Sequence, residues 1–249
     1  MRVFLITGAS SGIGAATARA VAARQTALVL HARKNRAGLE KVADEAKAAG
    51  AEILIVEGDL AVAGTGARLV EETTGKFGRL DVVVSNAGFA DRRPIGEVDR
   101  AALDASLASM TSAFFDLATA AKPWLIKAGA SGRMIGVSSF VAHAFGRGIM
   151  TFPVSAAAKA GLEALSRALA VDLAPSGVTV NCVAPGFTEK DAGAHVAAPR
   201  EAMEKIAAGI PMRRYGKTAE VAALIAFLAS PAAGYITGQT IHVNGGVTL

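Results

Sequence analysis

The residues whose types and spacing best suit chemistry begin at position 7. Thr7-Gly8-Ala9-Ser10-Ser11-Gly12-Ile13-Gly14 follows a short apolar run and opens a segment of helical periodicity. Glycines there permit a tight turn and a close approach of backbone to ligand. The N–H groups and dipole of the following helix then favour a phosphate's negative charge. A glycine turn alone is a weak sign, but one set between strand and helix points to the pyrophosphate of a dinucleotide. After the next apolar run the chain reads His31-Ala32-Arg33-Lys34. An acidic residue here would bind the adenosine ribose hydroxyls and repel a 2′-phosphate. Arg33 can instead pair bidentately with that phosphate and Lys34 adds charge, which favours NADP over NAD; a solvated basic turn is the plainer alternative. Four histidines, His31, His143, His195 and His242, could supply a proton near neutrality, since imidazole titrates at ~6.5.

The elements that must position these groups alternate in type along the chain. β-branched or leucine-rich runs near Val3–Thr7, Ala27–His31, Ile53–Val56, Val82–Ser85, Arg133–Ser138, Val178–Val183 and Thr240–Val243 predict strands. Near-continuous apolarity in several of them fits a parallel sheet covered on both faces. Alanine-rich amphipathic segments predict helices near Gly12–Arg24, Arg36–Ala49, Ala61–Phe77, Asp99–Trp124, Val154–Ala174 and Ala219–Ser230. Ala158, Leu162, Leu165, Leu169 and Leu173 form a core stripe on the fifth of these, with Pro153 at its first turn and Pro175-Ser176-Gly177 ending it. No repeat or linker divides residues 1–249, so a single dinucleotide-binding domain is expected. The polar, alanine-rich stretch 187–211 reads as a substrate lid.

Composition narrows the partners. The 249 residues are 52% hydrophobic and 19% charged, which excludes a disordered chain. No apolar run approaches the ~20 residues of a membrane span, and the N-terminal run is too short for a signal peptide, so a cytoplasmic protein is expected. One cysteine, Cys182, excludes an intrachain disulfide and reads as a small buried strand residue. The net charge of +5 is dispersed and lacks aromatic–basic interleaving, so neither nucleic acid nor membrane is an expected partner. No metal site is expected either.

TGASSGIG resembles the TGxxxGIG fingerprint of the short-chain dehydrogenase/reductase family. Gly58-Asp59-Leu60 resembles its adenine-contacting turn, Ser85-Asn86-Ala87-Gly88 its NNAG motif, and Pro185-Gly186 and ITGQTIHVNGG its C-terminal motifs. The likeness is co-linear over essentially the whole chain. It implies a three-layer doubly wound Rossmann fold with a parallel seven-stranded sheet in the order 3-2-1-4-5-6-7. It also implies cofactor contacts from Gly8, Ser10, Ser11, Gly12, Ile13, Gly14, Arg33, Asp59, Leu60, Asn86, Ala87, Gly88, Lys159, Pro185, Gly186 and Thr188. A homotetramer or homodimer follows from the same resemblance.

The family's reaction is hydride transfer between nicotinamide and a small carbonyl or alcohol. A tyrosine moves the proton, a lysine four residues on tunes it, a serine polarises the carbonyl and an asparagine supports a relay. The resemblance places Ser139 at the serine, Lys159 at the lysine, Ser155 at the tyrosine and Met110 at the asparagine. Lys190 falls at a carboxamide-contacting threonine, with Thr188 close by. Ser155 and Lys159 share a helix face, but serine is shorter than tyrosine and lacks a phenol's pKa of ~10. A serine–lysine hydrolase would need an oxyanion hole, for which nothing else speaks. Tyr215 and Tyr235 read as framework. His143 is expected to border the nicotinamide pocket and joins Ser139, Ser155 and Lys159 as a catalytic candidate. His195 reads as a solvated lid residue, Arg147 as a carboxylate binder or a solvated loop residue, and His31 and His242 as distant from the site. Two functions remain: an NADP-linked oxidoreductase with an atypical proton donor, or an NADP-binding sensor or partner subunit without turnover.

Overall fold

The computed structural model describes residues 1–145, 151–189 and 200–249. The strands are β1 (Arg2–Thr7), β2 (Thr26–Ala32), β3 (Glu52–Glu57), β4 (Val82–Ser85), β5 (Arg133–Val137), β6 (Thr179–Pro185) and β7 (Thr240–Val243). They form one sheet in the order β3-β2-β1-β4-β5-β6-β7, with every pairing parallel. The helices are α1 (Gly12–Val21), α2 (Arg36–Ala48), α3 (Thr65–Phe77), α4 (Arg100–Ser106), α5 (Ala113–Ala128), α6 (Pro153–Leu173), α7 (Arg200–Gly209) and α8 (Thr218–Ala229). A π-helical turn, Leu107–Ser112, joins α4 to α5.

The pleat sends alternate side chains to opposite faces, and both faces are covered. Phe4, Ile6, Leu28 and Leu30 pack with α1, α2 and α8 through Ala15, Leu39, Val42 and Ile225. Leu5, Val29, Val83 and Val180 pack with α3, α5 and α6 through Leu69, Phe114, Leu117 and Leu162. This is why the strands read as unbroken apolar runs. The architecture is the three-layer doubly wound Rossmann fold. Cys182 is buried on β6, and Leu162 and Leu173 of the α6 stripe are fully buried with Leu165 and Leu169 partly so.

Local chemistry accounts for the shifted boundaries. α1 ends at Val21 rather than Arg24, because Thr26 Oγ1 closes a turn on Ala23 and Gln25 adopts φ 64°. α3 starts at Thr65 rather than Ala61, because Asp59 Oδ1 accepts from Ala61 N and Gly64, at φ 86°, holds the cap. The segment read as one helix from Asp99 to Trp124 is α4, the π turn and α5. α7 lies inside the expected lid; residues 190–199 of that lid are outside the described residues.

The order places β1 beside β4, and the connections from their carboxyl ends leave in opposite directions, from β1 to β2 and from β4 to β5. A crevice opens at such a switch point.

Candidate active site

A cleft of about 730 Å³ occupies that crevice, running from Arg33 and Asp59 to Ser139, Ser155 and Lys159. Its nucleotide end is built chiefly from backbone. Gly8 sits at φ 65°, and a Cβ there would stand 2.9 Å from Asn86 Nδ2. A Cβ on Gly14 would come within 2.2 Å of Gly8 O, so α1 can start against the turn only with glycine in that place. The turn is pinned to the end of β4: Thr7 Oγ1 accepts from Asn86 N at 2.9 Å and Ala87 N at 3.0 Å. Asn86 Nδ2 returns a bond to Thr7 O at 2.8 Å. Ser11 supplies no side-chain cap to α1, which leaves its first turn facing the cleft. At Gly12 an added Cβ would meet nothing within 4 Å, so there is open space above the turn.

Arg33 forms the far wall, its Nη1 3.7 Å from Asp59 Oδ2, with both side chains substantially exposed. Asn35 caps α2 by accepting from Gly38 N at 3.0 Å. These residues fit a dinucleotide: a glycine-built helix start for the pyrophosphate, and a guanidinium where β2 ends. His31, expected to be distant from the reacting end, lines the nucleotide end with the basic turn it opens. Its Nε2 bonds Gly58 O at 2.9 Å, its Nδ1 is buried without a partner, and burial lowers its pKa.

Side chains build the reacting end. Ser139 lies two residues beyond β5 and caps a 3-10 turn, Phe140–Ala142, accepting from Val141 N at 3.4 Å. Ser155 and Lys159 project from α6 one helical turn apart, as their spacing requires. Ser155 Oγ accepts from Asp91 N at 2.9 Å, tying α6 to the loop after β4. Lys159 Nζ donates to Val137 O at 2.6 Å. Burial draws its pKa down to about 8, with Cys182 and Glu163 opposing. A Cβ on Gly88 would lie 3.2 Å from both Lys159 Nζ and Met110 Sδ, so the buried Met110 of the π turn packs beside Gly88 next to this end.

The cleft wall thus includes Gly8, Ser10, Ser11, Ile13, Arg33, Asp59, Leu60, Asn86, Ala87, Gly88, Ser139, Ser155, Lys159, Pro185, Gly186 and Thr188. Gly12 and Gly14 shape the loop without lining it. His143 corrects the sequence expectation: it does not line the cleft. Its Nε2 lies 2.8 Å from Glu163 Oε1, because that buried carboxylate draws the ring away. His242 does not line the cleft, as expected of a residue distant from the site; its ring meets that of His143 at 4.5 Å between centroids. Tyr215 packs against Phe187, Tyr235 is fully exposed, and neither lines the cleft. Arg147, Lys190 and His195 lie outside the described residues. Burial raises the Cys182 thiol to about 11, which removes it as a nucleophile.

Sequence reasoning missed Glu163 and Ser138. The available signal was spacing: Glu163 follows Lys159 by four residues, on the face that carries Ser155. Among the described residues no cluster of His, Cys, Asp and Glu is placed to hold a metal, and no helix is long and apolar enough to cross a membrane.

Residues 8–248 match the family described as enoyl-(acyl carrier protein) reductase. A 3-oxoacyl-(acyl-carrier-protein) reductase of Synechocystis sp. is 39% identical, the match covering 100% of this chain and 97% of that protein. A short-chain dehydrogenase/reductase from Serratia marcescens has the same fold with a TM-score of 0.91 at 30% identity, covering 100% of this chain and 98% of the other. A short-chain dehydrogenase from Burkholderia cenocepacia, solved in complex with NADP, gives a TM-score of 0.90 at 30% identity with the same coverage. With the fold, the glycine turn and the Ser139–Lys159 end in one cleft, these likenesses show that the chain belongs to the short-chain dehydrogenase/reductase family of NAD(P)-dependent oxidoreductases.

Proposed function

We propose that this protein is an NADP(H)-linked oxidoreductase interconverting a small carbonyl compound and its alcohol, with an atypical proton donor at Ser155. The observation that carries the reading is Lys159, a buried ammonium group on the same cleft wall as Ser139 and Ser155. When bound, the dinucleotide supplies or accepts the hydride. The glycine turn and α1 hold the pyrophosphate, and Arg33 holds the 2′-phosphate. Ser139 donates to the carbonyl oxygen and polarises it. Lys159, with its pKa near 8, is charged at neutral pH and offsets the negative charge that develops there.

In the direction of reduction the proton comes from solvent. The Ser155 hydroxyl passes its own proton through a water to that oxygen as it takes another from solvent, the water bridging the gap because serine stops short of where a phenol would end. Ser155 Oγ is engaged as an acceptor by Asp91 N, which leaves its O–H for donation. Proximity sustains the chemistry while a weak acid serves it. The NADP-bound Burkholderia structure and the reductase name of the Synechocystis relative support the cofactor and the carbonyl.

The chain is read as one cytoplasmic domain, and exposed Phe115 on α5 and Val171 on α6 support a homodimer or homotetramer. The absence of a phenol at position 155 favours a second reading, an NADP-binding sensor or partner subunit without turnover. Fluorescence titration with NADPH and NADH, followed by an absorbance screen of carbonyl compounds, separates the two. Tighter NADPH binding with turnover is expected. Tight binding without turnover across the panel leaves the second reading, and failure to bind either cofactor removes both.

A further inference from the structure

Ser139 stands between two residues bound by one carboxylate oxygen. Ser138, just before it, donates its hydroxyl hydrogen bond to Glu163 Oε1. His143, four residues after it, reaches the same oxygen through Nε2 at 2.8 Å. The turn between these feet is closed by its own backbone: Ala142 N donates to Ser139 O at 3.2 Å and His143 N to Phe140 O at 2.9 Å. Glu163 lies one helical turn beyond Lys159 and two beyond Ser155 on α6. A single side chain therefore ties the turn that presents Ser139 to the helix that presents Lys159 and Ser155.

The environment makes this tie costly to undo. The Glu163 side chain is only 4% exposed, and a buried carboxylate without hydrogen bonds carries a large desolvation penalty. Its other oxygen has Arg167 Nη1 no nearer than 3.8 Å. Among the described residues, Lys159 and Arg167 on α6, Cys182 on β6 and His242 on β7 are the remaining titratable groups around it. None replaces the two donors at Oε1, so loosening either foot leaves the carboxylate short of partners.

We propose that Glu163 is a positioning residue, clamping the Ser139 turn onto α6 through Ser138 and His143 and so fixing the Ser139 hydroxyl relative to Lys159. The proposal rests on the oxidoreductase reading for its kinetic consequence, but not for its structural one. An amide oxygen accepts both hydrogen bonds without carrying charge or passing a proton. Glu163→Gln should therefore preserve the clamp, while Glu163→Ala removes it.

The test uses the full chain with NADPH and the best substrate of the carbonyl panel, reading kcat, KM, NADPH affinity and amide hydrogen exchange across residues 138–144. Glu163→Ala is expected to lower kcat about 10- to 100-fold, the scale of a small misplacement of a reacting group. NADPH affinity should stay within about twofold, and exchange in 138–144 should rise about tenfold. Glu163→Gln should restore kcat to within about threefold and exchange to the wild-type rate. His143→Ala, at a partly exposed ring, should give an intermediate result and serves if Glu163→Ala does not fold. Unchanged exchange in Glu163→Ala or His143→Ala would overturn the clamp. Equal kcat losses in Glu163→Gln and Glu163→Ala would also overturn it, in favour of proton conduction through the carboxylate. If the wild-type protein turns over no carbonyl, the function proposed above fails, and the exchange rates still decide the clamp.

Discussion

The two ends of the cleft are made differently. At the nucleotide end, glycine turn, helix start and strand end meet through backbone atoms, and Thr7 and Asn86 hold them with short bonds. At the reacting end, Ser109, Ser139, Ser155 and Lys159 come from a π turn, the turn after β5 and a helix, and function depends on how far each side chain reaches. A backbone-built end tolerates few substitutions but keeps its task when it is present at all. A side-chain-built end can keep its shape while its chemistry changes with a single residue. In the function proposed above, the chain pairs a backbone-built nucleotide end with a reacting end where Ser155 and Met110 take the places that the resemblance gives to tyrosine and asparagine.

The strongest way to break this contrast is Ser155→Tyr. If only the acid is missing, a phenol beside Lys159 should raise kcat for carbonyl reduction about 100-fold at pH 7, within the range of general acid catalysis. Steady-state NADPH oxidation measures it, and an unchanged rate would show that more than the acid separates the two ends. The second change tests whether the nucleotide end has a task of its own. Arg33→Asp should weaken NADPH about 30-fold, the scale of a lost charge-assisted hydrogen bond, and NADH no more than about threefold. Equal losses in paired titrations would discard the 2′-phosphate assignment. The smallest effect concerns the scaffold. Thr7→Val leaves Asn86 N and Ala87 N without their acceptor and should cost about 2 kcal/mol. In a chain of this length that lowers the melting temperature by about 4–8 °C, and a change under about 1 °C would show that the bonds hold nothing.

How much could be read in advance follows the same division. Strand positions were legible because both sheet faces demand apolar residues, and β4 and β7 begin and end where the sequence places them; the sheet order came from the family resemblance alone. The glycine turn was legible because close approach leaves no room for a Cβ at Gly8 or Gly14. Glu163 was not, because a glutamate on an amphipathic helix ordinarily faces water, and only the tertiary structure shows this one buried under Ser138 and His143. His143 was expected to border the cleft, and sequence distance from Ser139 could not show that its ring bonds Glu163 instead. The contact of His31 with Gly58 was not legible, as it depends on the register of β2 against β3. α7 was hidden in a stretch whose alanines and charges read equally as loop.

The π turn between α4 and α5 carries a consequence for how this chain can vary in length. Its wider coil takes up one residue more than an α-helical turn does, and α4 and α5 run into it without a break. Met110 is buried there and Thr111 Oγ1 donates to Ala158 O at 2.8 Å, tying the turn to α6. A residue added to a regular α-helix would rotate everything beyond it by about 100°. The wide turn takes up that residue in place, so α5 stays seated on the sheet and only the wall around Ser109 is reshaped. A one-residue change in length here is absorbed locally, redrawing one side of the cleft without disturbing the core.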